Sequence, residues 1–268
     1  MDEDLQARDI LIATAIKFKG DWELIYKSVL ERKHLSYDET HELLKQIHSK
    51  AVTIIDPDYP MELKMRCHRP PWVIFYEGDL SLLSDPYRIL TIVGSRDASE
   101  YGKRMVAEYA CAAAEEGYII ASGLAKGIDA AALSAAVNYP GKAIAVLGNG
   151  IEYFYPLENK ELQKRISEVG LLLSEYPGKT PPSPHHFPFR NRILAVISQT
   201  LLVGEAHAMS GTLTTVAYAL SYNRDVGAIP FRSDDESANN RLIKTGAAMV
   251  DTKDDLLLLL SHSAPPLV

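Results

Sequence analysis

The stretch ILTIVGSRDASEYGKRMVAEYACAAAEEGYIIASG, Ile89 to Gly123, decides the fold. It opens on an apolar β-type run that stops at Gly94, passes into an amphipathic helical run, and returns to an apolar β-type run that stops at Gly123. Strands that are apolar on successive residues are buried on both faces, as in a parallel sheet covered by helices. The alternation continues through KAIAVLG, LLLSEY, TLLVGEA and VGAIP as β-type runs. Between them lie GIDAAALSAAVNY, NKELQKRISEV, RNRILAVIS and GTLTTVAYALSYN, with NNRLIKTGA after the last, all read as helical. The pattern predicts a doubly wound α/β domain over residues 87–262, with a mostly parallel sheet of six or seven strands.

Upstream the texture differs. Residues 1–55 carry helical periodicity in ARDILIATAIKF and YDETHELLKQIHS, with acidic residues in the early turns, and predict a small all-α domain. Residues 56–86 are rich in proline and read as a linker, within which WVIFYEG forms a lead-in strand. The two cysteines, Cys67 and Cys111, are far apart and outside any C-x-x-C spacing, which argues against a disulfide framework or a zinc site. The first residues are acidic where a secretory leader is basic, and LLLLL at 256–260 is too short to span a bilayer, so a cytoplasmic protein without membrane contact is expected. A net charge of −7 argues mildly against a polyanionic partner. The charge is uneven, however: residues 94–210 hold eleven Lys or Arg against twelve Asp or Glu, which leaves room for a local basic pocket.

In open α/β sheets ligands bind beyond the carboxyl ends of the strands, where loops lead into helix N-termini. Those loops carry Gly94-Ser95-Arg96, the run Ser122-Gly123 through Lys126-Gly127, and Gly148-Asn149-Gly150, followed by Phe187 to Arg192 and Ser210-Gly211-Thr212. Glycine lets backbone N–H groups approach an oxyanion closely, and the helix dipole favours it. Arg96, Lys126, Arg190 and Arg192 supply full charges. A single Gly-Ser turn is usually no more than a turn; several on one sheet edge point to an anion site. Arg190 and Arg192 flank Asn191 ahead of the apolar run that reads as a helix, at the end where the dipole disfavours cations, and a bound anion would resolve the conflict.

Familiar anion sites do not fit. GNGIEYFYP places Tyr153 where a dinucleotide fold needs its third glycine, and neither G-x-x-x-x-G-K-[ST] nor G-x-S-x-G occurs. His185 and His186 are adjacent, point apart, and lack ligands at metal spacing, so neither a metal nor a cofactor is expected. Glu175 and Glu205 each end a strand and read as partners for arginine or backbone N–H in preference to acid–base catalysts. Tyr153, Phe154, Tyr155, Tyr176 and Phe187 fall in or beside the same loops. Cations with aromatic rings are the ingredients of single-strand nucleic-acid binding. Tyr155 and Tyr176 are the two read instead as packing under loops.

The motifs VGSR, SGLAKGID, GNGIEYFYP with a following Asn, SEYP, FPFRNR and SGTLTT stand in the order and spacing of the DNA-processing protein A (DprA/Smf) family, and the resemblance spans about residues 55–250. It implies a Rossmann-like domain preceded by a small SAM-like or helix-hairpin-helix domain, and the C-terminal winged helix of some members is not expected. It further implies a non-enzymatic recombination mediator that binds and protects incoming single-stranded DNA during natural transformation, loads the RecA recombinase, and forms a homodimer. The resemblance carries a DNA-binding role onto Arg96, Lys126, Asn149, Phe154, Arg190 and Arg192; together with the other residues of these loops the expected DNA-binding set is Gly94, Ser95, Arg96, Ser122, Gly123, Lys126, Gly127, Asn149, Phe154, Lys160, Phe187, Arg190, Asn191, Arg192, Ser210 and Gly211. Leu242, Ile243 and Met249 match the apolar surface used for self-association.

This chain departs from the family pattern at Phe231 to Glu236, where glycine usually follows VGAIP, and at Leu157, where some members carry a basic residue. The competing reading is a nucleoside-monophosphate phosphoribohydrolase on a similar fold, but its P-G-G-x-G-T-x-x-E run is missing.

Overall fold

The computed structural model describes residues 6–33, 35–208, 210–233 and 237–263. Three helices come first: α1 (Ala7–Lys17), α2 (Trp22–Leu30) and α3 (Tyr37–Leu44). Then follow β1 (Lys50–Thr53), α4 (Met61–Arg66) and β2 (Val73–Gly78). The α/β alternation begins at β3 (Ile89–Val93) and runs through α5 (Glu100–Glu115), β4 (Ile119–Ser122), α6 (Ile128–Ala136), β5 (Ala143–Leu147), α7 (Lys160–Val169) and β6 (Leu171–Ser174). It closes with α8 (His186–Val196), β7 (Thr200–Val203), α9 (Gly211–Ser221), β8 (Asp225–Ala228), α10 (Ala238–Lys244), β9 (Ala248–Met249) and α11 (Lys253–Ser263).

The strands form one sheet in the order β1-β2-β6-β5-β4-β3-β7-β8-β9. All pairings from β6 to β9 are parallel, so the doubly wound core has seven parallel strands, and β1 and β2 extend it antiparallel at one edge. Every residue of β3 and β5 is buried, because helices cover both faces. On one face α8 and α9 pack through Ile193, Leu194 and Val216; on the other α5 and α6 pack through Val106, Tyr109 and Leu133. The chain winds outward from β3 in both directions, so the order reverses between β4, β3 and β7. This is the switch point at which such sheets leave a crevice.

Several elements differ from the sequence reading: α4 lies in the stretch read as a linker, and β9 and α11 are not among the runs that the pattern identifies. Residues 50–53, within the stretch read as helical, form β1; they are too few for an alternation pattern, and pairing of Ala51 with Phe75 and Val52 with Ile74 makes them a strand. The helix expected from Arg190 begins four residues earlier, at His186. Pro188 falls in its first turn, where a missing N–H costs no intrahelical bond. The N-terminal helices pack on the sheet edge, with Leu11, Ile16 and Ile25 against Val73 and Phe75 of β2.

Candidate nucleic-acid interface

A cleft of about 580 Å³ opens at the switch point. The loop after β3 forms its floor. The N–H of Ser95 donates to the Glu205 carbonyl at 2.7 Å, and its own carbonyl accepts from Ile128 N–H at 3.1 Å, so this loop is tied to both neighbours. Arg96 then projects outward, exposed, with its guanidinium over the Phe187 ring at 5.1 Å. Among the described residues no carboxylate lies within ion-pairing distance of Arg96.

The loop after β4 makes one wall. Gly127 has φ 75°, and a methyl group there would meet the Arg96 carbonyl oxygen at 2.6 Å, so only glycine lets the two loops approach. Gly123 is pressed against Arg190, with room for no side chain. Lys126 is exposed and ion-paired with Glu158; it lines a smaller recess of about 60 Å³ that shares Arg96, Tyr155 and Phe187 with the main cleft.

Helix α8 forms the opposite wall with Phe187, Arg190 and Asn191. Arg190 is 5% exposed; its Nη1 donates to the carbonyls of Gly123 and Val146. Burial pushes its pKa down to about 10, with the nearby Asp129 carboxylate opposing the shift, so it stays protonated at neutral pH. The same burial pushes the Asp129 carboxyl above the ordinary aspartate range, against the pull of Arg190 and the Ala125 and Gly123 N–H groups. Ser210 and Gly211 open α9 at the cleft without a side-chain cap, and Asn191 Nδ2 donates to the Gly211 carbonyl at 3.4 Å. The N-termini of α6, α8 and α9 therefore all face this region, each contributing partial positive charge.

Several residues expected in the set lie elsewhere. Arg192 is 1% exposed and points away from the cleft: Nη2 meets both oxygens of Glu175 at 2.6 and 2.8 Å, while Nε and Nη1 donate to the carbonyls of Arg69 and Phe189. The pairing with glutamate, not an anion from outside, satisfies it. Arg190 and Arg192 are also inside α8 and not ahead of it, so the dipole conflict does not arise. Ser122 is fully buried, its hydroxyl donating to the Ile92 carbonyl at 2.7 Å. Asn149 lines the recess, but its amide is committed to the Gly150 and Tyr153 carbonyls. Phe154 and Lys160 pair with each other, ammonium 5.2 Å from the ring centre, and line neither cavity.

Tyr155 is placed differently as well. It is 37% exposed, tilted 34° to Phe187 at 5.8 Å, and lines the cleft instead of packing beneath a loop. Tyr176 does pack, buried and stacked on His186 at 3.9 Å. Sequence reasoning missed the wall made by Pro182, Ser183 and Pro184; its signal was the TPPSP run. Glu205 accepts from the N–H and hydroxyl of Ser99 at 2.9 and 2.7 Å, fixing the start of α5.

Leu242 and Ile243 lie half-buried on α10, and Met249 is 54% exposed on β9, the last strand of the sheet. Phe231 packs edge-on against Tyr101 at 5.3 Å, while Asp234 to Glu236 lie outside the described residues. No described helix is long and apolar enough to cross a membrane.

Residues 50–261 match the family model for DNA recombination-mediator protein A. Protein Smf of Synechocystis is 38% identical over 242 residues, covering 89% of this chain and 61% of its own length. DNA processing protein DprA of Streptococcus pneumoniae is 39% identical over 233 residues, covering 86% of this chain and 81% of its own. The chain thus spans less than two thirds of the cyanobacterial relative. Among solved structures, DprA from Streptococcus pneumoniae superposes with a TM-score of 0.75 at 33% identity, over 93% of this chain and 92% of that one. DNA processing protein A from Helicobacter pylori, described for its single-stranded DNA binding mode, gives 0.72 at 26% identity, over 80% and 98%.

Proposed function

This chain belongs to the DNA recombination-mediator protein A family, and we propose that it binds single-stranded DNA in the cleft at the β3–β4–β7 switch point. The observation that carries the proposal is Arg96: an exposed guanidinium without a carboxylate partner among the described residues, standing on Phe187 next to the exposed Tyr155 ring. A phosphate at Arg96 leaves the neighbouring base within reach of these rings, and each stacked base adds roughly 1–3 kcal/mol. Arg190 and three helix N-termini reinforce the positive potential. The proposed role is that of a cytoplasmic mediator, acting without catalysis, that shields incoming single strands and delivers them to a RecA-type recombinase during natural transformation. Self-association uses the β9 edge with Leu242, Ile243 and Met249.

Fluorescence anisotropy with a labelled oligo-dT strand and a matching duplex, across a salt series, tests the core of this reading. The expected result is preferential single-strand binding that weakens with salt at a log–log slope of about −0.7 per phosphate contact. Arg96→Ala should then be weaker and shallower by about one such contact. A parent protein without single-strand preference, or an Arg96→Ala variant with parental affinity and slope, would overturn it.

A further inference from the structure

A carboxylate is out of place in a cleft that holds phosphates, yet Asp129 sits at its wall, 6% exposed. Its surroundings explain why. Asp129 lies in the first turn of α6, and its Oδ2 accepts from Gly123 N–H at 3.1 Å and Ala125 N–H at 3.3 Å. Between these residues the chain takes a costly path: Leu124 has φ 57°, a left-handed conformation that a branched side chain rarely adopts, and Gly127 follows at φ 75°. The loop's carbonyls are held by other groups, Gly123 by Arg190, and Leu124 and Ala125 by Asn159 Nδ2 at 3.0 and 3.2 Å. Its N–H groups at Gly123 and Ala125 are held by Asp129.

We infer that Asp129 is a positioning residue for DNA binding: its carboxylate fixes the 123–127 backbone so that Arg190 and Lys126 are presented to the strand. This rests on the reading of the cleft as a single-strand site. A simple charge argument gives the opposite sign, since removing a negative group next to an anion site strengthens binding. Positioning says that its removal weakens binding, because the left-handed turn relaxes and Gly123 no longer abuts Arg190.

The experiment uses the full chain with Asp129→Ala and Asp129→Asn. Binding to labelled oligo-dT is read by anisotropy, and protection of the Gly123 and Ala125 amides by hydrogen exchange without DNA. The Asp129→Asn side chain keeps an oxygen that can accept both N–H groups while losing the charge. Asp129→Ala should lose both amide protections and weaken binding by at least about tenfold, the worth of hydrogen bonds to a charged group. Asp129→Asn should keep protection and stay within about threefold of the parent, less than half the free energy of a tenfold change. Binding by Asp129→Ala at or above parental affinity overturns the inference, as does unchanged amide protection. If Asp129→Ala does not fold, Asp129→Asn decides alone: a gain beyond about tenfold identifies the carboxylate as a repulsive group, not a positioning one. Should the parent itself fail to bind DNA, the cleft reading falls, while the exchange comparison still decides what Asp129 does to the loop.

Discussion

Removing the Glu175 side chain strands a buried cation. In Glu175→Ala, Arg192 keeps its bonds to the Arg69 and Phe189 carbonyls, at 3.0 and 2.8 Å, but loses two charge-assisted bonds of 2.6 and 2.8 Å. At 1% exposure the guanidinium cannot recover that interaction from water. Breaking a buried pair on one side costs about 3–5 kcal/mol. Unfolding entropy near 2.1 cal/mol/K per residue gives roughly 0.56 kcal/mol/K for this chain, so the melting temperature should fall by about 5–9 °C. The apolar pair Glu175→Met with Arg192→Met should recover much of the loss, because neither charge then needs solvation. Calorimetry gives the melting temperatures, and anisotropy well below them gives DNA affinity. Arg192→Met should bind DNA with the parental salt slope. A melting temperature within about 2 °C of the parent in Glu175→Ala, or a slope shallower by about 0.7 in Arg192→Met, would refute a structural Arg192.

Gly123→Ala places a methyl carbon 2.5 Å from Arg190 Nη2 and 2.8 Å from Cζ, so the guanidinium must move; single-strand affinity should fall by roughly tenfold, about 1.4 kcal/mol, and parental affinity would count against a role for this contact. Burial holds His186 below the ordinary imidazole range, against the Gly148 carbonyl it meets at 3.1 Å. The unfolded chain therefore takes up the proton first as pH falls; the stability contribution is complete above about pH 6.5 and is lost as pH drops through the folded value. Urea midpoints measured at about pH 7.5 and about pH 5 should fall further for the parent than for His186→Gln, and equal falls would exclude His186 as the source. Met249→Asp places a charge on the open sheet edge, and light scattering should then report a monomer where the parent is a dimer; a parent already monomeric at tens of micromolar sinks the proposed interface.

The parallel core was legible because burial on both faces makes its strands continuous apolar runs: ILTIV and AIAVL read as strands by themselves. β1 was not, since four residues at an edge acquire strand character only through β2. The loops of the site were equally legible, because topology alone puts Gly94 to Arg96, Gly123 to Gly127 and Ser210-Gly211 at one sheet edge. What each side chain does within a loop was not. A serine hydroxyl at a strand end serves a ligand or a backbone carbonyl, and the one-dimensional pattern is identical; in Ser122 the Ile92 carbonyl takes it. Tyr155 and Tyr176 look alike in sequence, yet one faces the cleft and the other stacks beneath it on His186.

The two arginines of FPFRNR show how local geometry divides like residues. A helix turns about 100° per residue, so positions 190 and 192 are about 200° apart and face nearly opposite ways. With α8 laid along the cleft, one arginine must face the loops after β4 and β5, and the other must face back toward β6. Arg190 takes the first place, bonded to the Gly123 and Val146 carbonyls, and Arg192 takes the second, on Glu175 just past the end of β6. Both side chains are buried: Arg192 has a full counter-charge in Glu175, whereas Arg190, 5% exposed at the cleft wall, rests on two backbone carbonyls with the Asp129 carboxylate nearby. Hence the glutamate of SEYP and the second arginine of FPFRNR form one structural unit, while Arg96 and Arg190 line the cleft. In a chain of net charge −7, three carboxylates on or beside these loops are engaged within the fold: Glu175 by Arg192, Glu205 by Ser99, and Asp129, at the cleft wall itself, by the Gly123 and Ala125 N–H groups.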